Sequence, residues 1–135
     1  MLISEAASYK KPVTVSEMLA RSEKLALARP DDSDEDRAAI LGTIAELSDA
    51  SGDSGKSAEL LERALALVSH SRDSELRTRL TCHHAERIAE LGQLDAATRA
   101  VTHELDNSRL DHWNRSECLN ARSLIAERAG DAQGG

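Results

Sequence analysis

The chain has 135 residues, of which 17 are Lys or Arg and 24 Asp or Glu, for a formal net charge of −7 at neutral pH. That length allows one domain with a modest core, and the acidic balance works against a phosphate backbone or an anionic membrane surface as a partner. There is no Phe, one Trp and one Tyr, and about a fifth of the residues are Leu, Ile or Val, close to the range of disordered chains, so a marginally stable fold built on small residues is expected.

Residues 1–13 read as a lead-in, expected to be poorly ordered. Beyond them apolar residues recur at helical spacing and no stretch shows sustained alternation, which points to an all-helical chain. The first helix is predicted from about Val15 to Arg29, opened by the capping pair Thr14 and Glu17 and ended by Pro30. The second follows the acidic run DDSDED, whose charges suit a helix N-terminus, and carries Ile40, Ile44 and Leu47 on one face. SAELLERALALV forms the third. The fourth, from about Asp73, stops at Gly92, placed as the left-handed residue just past a helix end. DAATRAVTHEL is the fifth, and the sixth runs from near Leu110 to Gly130.

The segments ELSDASGDSGKSAELLERAL, AERIAELGQLDAATRAVTHEL and SLIAERAGDAQGG align on Gly52, Gly92 and Gly130, at intervals of 40 and 38 residues. A small residue precedes each glycine by seven positions (Ala45, Ala85, Ser123), and another follows by five (Ser57, Ala97, Gly135). Small residues suit helices that cross closely. Two helices and a tight turn recurring at this period are the mark of a solenoid.

On these residues the chain resembles the tetratricopeptide repeats, whose helix pairs carry small residues around a Gly-containing turn; SAELLERALALV looks like their second helix. The aromatic knobs usual in that family are replaced by Ser48, Ile88 and Ala126 before the glycine and Ser54, Leu94 and Ala132 after it. The resemblance implies a right-handed superhelical array of antiparallel helix pairs, a TPR-like α-solenoid, over residues 14–135, with its last pair incomplete. A narrower stretch, PVTVSEMLARSEKLALARPDDSDEDRAAILGTIAELSDASGD, is similar to the opening of the repeat array that follows the kinase domain in many bacterial serine/threonine kinases. It implies a regulatory fragment, with an extracytoplasmic sensor arm as the alternative placement. The chain itself carries no glycine-rich strand pair, HRD-like loop or DFG, so no catalytic activity is expected of it.

Several motifs invite chemistry. ASGDSGKS, Ala50 to Ser57, satisfies a loose phosphate-loop pattern, but an amphipathic helix precedes it where a buried strand is required, so a turn is expected and a nucleotide hydrolase using Lys56 is kept as the lesser alternative. The GDSG within it lacks the β-barrel and the placed His and Asp of a serine protease. In TCHHAE only Cys82 and Glu86 share a helix face, and a zinc site would need His103 or His112 from elsewhere. His84 is therefore expected to pack between repeats, with His83 solvated and no metal bound. Trp113 is expected to pack over a joint between repeats. The acidic run from Asp31 to Asp36 lacks the glycine and terminal Glu of a calcium loop. No cofactor is implied.

Cys82 and Cys118 form neither a disulfide framework nor a CxxC pair. Free thiols are the simpler expectation, with a disulfide between the two left open. No stretch has the length of a transmembrane helix, and MLISEAASYKKPV lacks the order of a signal peptide, so a soluble, cytoplasmic chain without membrane insertion is expected.

By the tetratricopeptide resemblance, the first helices of successive pairs line a concave face that binds peptides or partner helices. This implies Gly42, Glu46 and Asp49, then Arg79, Cys82 and Glu86, then Asn120 and Glu127 as partner-contacting residues. The face is mostly acidic, so a peptide or protein segment bearing Lys or Arg is the expected partner, and nucleic acid is not. The sixth helix has no second helix to cover it, so self-association through its apolar flank is expected.

Overall fold

The computed structural model of the chain describes residues 13–106 and 109–134. Of the predicted lead-in only Val13 lies among them, and Gly135 falls outside. The described residues hold six helices and no strand: α1 (Val15–Leu27), α2 (Asp34–Ala50), α3 (Ser54–Leu67), α4 (Ser74–Glu90), α5 (Leu94–Leu105) and α6 (His112–Gly134).

Local chemistry sets most of these boundaries. The Thr14 hydroxyl accepts from the Glu17 N–H at α1, Ser33 from Asp36 at α2, Asp53 from Lys56 at α3 and Asp73 from Leu76 at α4, each satisfying a donor that the first helical turn leaves open. Such a cap contributes about 1 kcal/mol. Helix α3 begins at Ser54, earlier than the apolar pattern suggested, because Asp53 caps there and draws the SGKS stretch into the first turn.

Two helix ends are built alike. The Gly52 N–H donates to Asp49 and Asp53 N–H to Ser48, while Gly92 N–H donates to Ala89 and Gln93 N–H to Ile88. Gly52 and Gly92 have φ of 91° and 93°, a region that side chains resist, so glycine is required at both. Each three-residue connection folds the next helix back as an antiparallel neighbour. Gly130 behaves differently: α6 continues through it to Gly134. The predicted stop there is corrected, since a glycine permits a left-handed turn without compelling one, and at Gly52 and Gly92 the returning helix holds the turn in place.

Consecutive helices pack on one another from α1 to α6, and α2 also meets α4 as α4 meets α6. The even-numbered helices therefore lie side by side. Two apolar clusters form the core. One joins α2, α3 and the start of α4 through Leu41, Leu60, Leu61, Val68 and Leu80; the other joins α4, α5 and α6 through Ala85, Ala97, Val101, Ala121 and Ile125. Each fully buried Leu contributes about 2 kcal/mol. Where α2 crosses α4, a Cβ on Gly42 would come within 2.9 Å of Leu80 Cδ2, so the crossing depends on a bare backbone. Glu23 pins α1 to α3 by pairing with Arg63 at 2.7 Å and Lys56 at 3.4 Å.

Cys82 and Cys118 are joined by a disulfide with Cα atoms 5.3 Å apart, and both are wholly buried. The expectation of free thiols is corrected. The pairing follows from α4 and α6 lying side by side, a relation that the spacing of two isolated cysteines does not carry.

Candidate binding face

The even-numbered helices expose one shared strip, and α4 runs along its middle. Residues three and four apart stack on one side of a helix, so His83, Glu86, Arg87 and Glu90 share a face of α4. Helix α2 brings Glu46 and Asp49 to one edge, and α6 brings Glu117 to the other.

Arg87 organises this strip. Its guanidinium meets Asp49 at 2.6 Å, Glu86 at 2.7 Å and Glu90 at 3.4 Å, and its side chain is 12% exposed. One cation thus faces three carboxylates and cannot neutralise them all. The Ser54 hydroxyl, with one proton to give, lies between Glu90 and Asp49. His83 bridges the two outer helices: Nδ1 lies 3.3 Å from Glu46 and Nε2 3.1 Å from Glu117. A neutral imidazole carries one N–H and can donate to only one of them. Glu46 remains 60% exposed, so its outer oxygen is available to an incoming cation.

Burial raises the pKa of Glu86, and Arg87 and His83 oppose that shift while Glu117 and Glu90 add to it. The pKa of His84 is lowered by burial, against the pull of Glu62, whose carboxylate lies 3.8 Å from Nε2.

The structure distributes the residues implied by resemblance unevenly. Glu46, Asp49 and Glu86 come together on the strip. Gly42 and Cys82 are buried, the first beneath Leu80 and the second in its disulfide, so neither offers a surface to a partner. Arg79 is half-buried in a shallow groove with Glu35, Asp36 and Asp73. Asn120 and Glu127 are exposed on α6. Sequence reasoning missed Arg87, Glu90 and Glu117. It also expected His83 to be solvated, whereas its side chain is 19% exposed and held between two carboxylates. Only the four-residue rhythm of 83, 86, 87 and 90 could have suggested a polar stripe, and nothing local names its partners on α2 and α6.

The other motifs resolve into local geometry. The glycine turn of ASGDSGKS joins α2 to α3, and the Lys56 ammonium lies 3.4 Å from Glu23 and 3.6 Å from Glu59. A cleft of about 680 Å³ opens beside it, lined by Thr14, Leu19, Ile44, Ser48 and Asp53. Lys56 in its lining is already paired with Glu23 and Glu59, and the cap from Asp53 occupies the Lys56 amide. In TCHHAE the Cys82 sulfur is spent on the disulfide, and among the described residues no group of three or more potential ligands is placed to hold a metal. Trp113 is 65% exposed, which corrects the expectation that it packs between repeats. No described helix is long and apolar enough to cross a membrane.

Comparison with known protein families, with curated proteins and with solved structures finds no match for this chain.

Proposed function

We propose that this chain is a tetratricopeptide-like helical-repeat module that binds, without catalysis, a Lys- or Arg-bearing segment of a protein partner along the strip shared by α2, α4 and α6. One observation carries the reading: Glu46, Asp49, Glu86, Glu90 and Glu117 are gathered from three helices around a single guanidinium and a single imidazole. Such an excess of carboxylates on a partly dehydrated surface attracts guanidinium and ammonium groups and steers their approach. The repeat reading is supported by the matched glycine turns 40 residues apart and by the side-by-side even-numbered helices. Glu46→Lys combined with Glu117→Lys is the direct test, because both residues are at the edges of the strip and neither fills the core. Titration calorimetry against an extended Lys/Arg-rich peptide is expected to lose at least tenfold in affinity, roughly the 1.4 kcal/mol that a lost charge pair exceeds. Unchanged affinity in a folded variant removes this face from the reading.

A second reading is favoured by the disulfide. Buried disulfides persist in oxidising compartments and are rare in the cytosol, which fits the sensor arm of a bacterial kinase lying outside the membrane better than a cytoplasmic scaffold. The binding chemistry of the strip is the same in both.

A further inference from the structure

The glycine turns at Gly52 and Gly92 set the α2–α3 and α4–α5 pairs in register at an interval of 40 residues. Nearer the turns the core positions match across that interval: Ala45 and Leu61 correspond to Ala85 and Val101, and all four are buried. Farther from the turns the match fails. Ala38, Leu41, Leu60 and Ala64 are wholly buried in the first pair. Their counterparts in the second are Thr78, Thr81, Ala100 and Glu104, of which the last three are half-buried. Where two leucines and two alanines seal α2 against α3, small and polar side chains stand between α4 and α5, and a groove of about 530 Å³ opens there.

Helix α4 lines this groove with Ser74, Arg77, Thr78 and Thr81, and α5 lines it with Arg99, Ala100, His103 and Glu104. Thr78 is 2% exposed, and its hydroxyl has no hydrogen-bond partner among the described residues. A buried hydroxyl left unpaired is costly, so it marks a place that a polar ligand atom completes. The Arg77 guanidinium donates to the Ser71 carbonyl, which holds it at the groove, and it keeps further N–H donors. Arg77, Arg99 and His103 have no ion-pair partner among the described residues. Of the acids nearby in sequence, Asp73 and Glu75 line the separate groove around Arg79. Asp95 and Asp106 are exposed at either end of α5 and lie outside the lining. The lining itself holds one carboxylate, Glu104, so two guanidiniums against it leave the groove positive within an acidic chain.

We infer that this groove is a binding site for a small phosphate ester. Guanidiniums give charge-assisted hydrogen bonds that suit phosphoryl oxygens, and the Ser74, Thr78 and Thr81 hydroxyls add neutral donors. A phosphoryl group, with three terminal oxygens, uses more of these donors than the two oxygens of a carboxylate. Glu104 accepts hydrogen bonds and cannot give them, so the rest of the ligand presents hydroxyls to it, as a phosphorylated polyol does. The volume lies in the range of small-molecule sites and exceeds what free phosphate fills. Residues 74, 77, 78 and 81 lie about half a turn around α4 from 83, 86, 87 and 90. The site is therefore separate from the acidic strip and does not depend on the peptide reading.

Amide NMR titration of the labelled whole chain, with glycerol 3-phosphate, glycerate and glycerol as probes, reads this out. Glycerol 3-phosphate is expected to bind saturably with shifts centred on Ser74, Thr78, Arg99 and His103, glycerate to bind more weakly, and glycerol not at all. Arg99→Ala, at an exposed position, is expected to weaken glycerol 3-phosphate about tenfold. Thr78→Val keeps the side chain's shape and is expected to weaken it about fivefold. Thr81→Leu with Ala100→Leu supplies the leucines of the first pair, and it is expected to abolish binding while the melting temperature holds or rises. Glu46→Lys with Glu117→Lys leaves the groove intact and is expected to bind glycerol 3-phosphate like wild type, so this site and the strip are tested apart. No saturable binding of glycerol 3-phosphate overturns the proposal, as does glycerate binding as tightly. Shifts confined to other surfaces, wild-type affinity in Arg99→Ala, or binding that survives in the leucine-filled variant also overturn it.

Discussion

His84 and Glu86 stand two positions apart on α4, and burial moves their proton affinities in opposite directions. For His84 the folded pKa lies below its unfolded value of about 6.5. The native state then holds fewer protons than the unfolded chain, so the stability it permits is complete above about pH 6.5 and is lost as pH falls through the folded value. Glu86 runs the other way: its raised pKa favours the folded state below the ordinary carboxylate value, and that advantage is lost as pH rises through the folded pKa. The two contributions oppose each other between about pH 7.5 and 5.5, so the test is a difference: on going to the lower pH the urea midpoint of His84→Gln should change less unfavourably than that of the unsubstituted protein. Identical changes in both proteins would show that His84 is not desolvated. At this scale the sequence was legible only where chemistry is local. The Thr14 cap could be read because its acceptor and donor are three residues apart, but His83 meets Glu46 and Glu117 across two helix boundaries. Trp113 was misjudged because an indole packs only if a neighbouring element arrives to cover it.

Helix boundaries depend on what lies beyond them. The apolar rhythm located all six helices, and Gly52 and Gly92 were recognisable as turns because a new apolar stripe begins soon after each. Gly130 is followed by no such stripe, and the helix continues. That difference makes glycine substitution informative. Gly130→Ala lies in a helix with nothing within 4 Å of the new methyl group, and it is expected to stabilise by about 0.5–1 kcal/mol through helix propensity. Gly42→Ala gains the same propensity but drives a Cβ to 2.9 Å from Leu80. Overpacking costs of about 1–3 kcal/mol cancel or exceed the gain. Thermal melts of the two variants, moving in the same upward direction, would contradict the close α2–α4 crossing.

Taken as a whole, the molecule is two small clusters linked by shared helices, with the buried disulfide tying α4 to α6. A bridge closing a loop of this size contributes about 3–4 kcal/mol by restricting the unfolded chain, a large fraction of the stability of an Ala-rich domain. Reduction, or Cys82→Ala with Cys118→Ala, is expected to lower the melting temperature by roughly 10–20 °C. Two titratable thiols in unreduced protein, with no change in melting, would show that the bridge does not form. The all-helical class was legible because a 3.6-residue rhythm runs through the chain; the disulfide was not, since it depends on which helices become neighbours. The acidic character of the strip was also legible, through Glu46, Asp49 and Glu86. Its organisation around Arg87 was not, because three carboxylates converge there from two helices and their spacing in sequence is irregular.

The most direct measurement is a titration of isotopically labelled protein with a Lys/Arg-rich extended peptide, followed by amide NMR. Shifts concentrated on Glu46, His83, Glu86, Arg87 and Glu117, saturable and weakened by salt, are the expected result. Shifts confined to other surfaces, or none at peptide concentrations that saturate weak sites, would contradict the assignment of this strip as a binding face for basic segments.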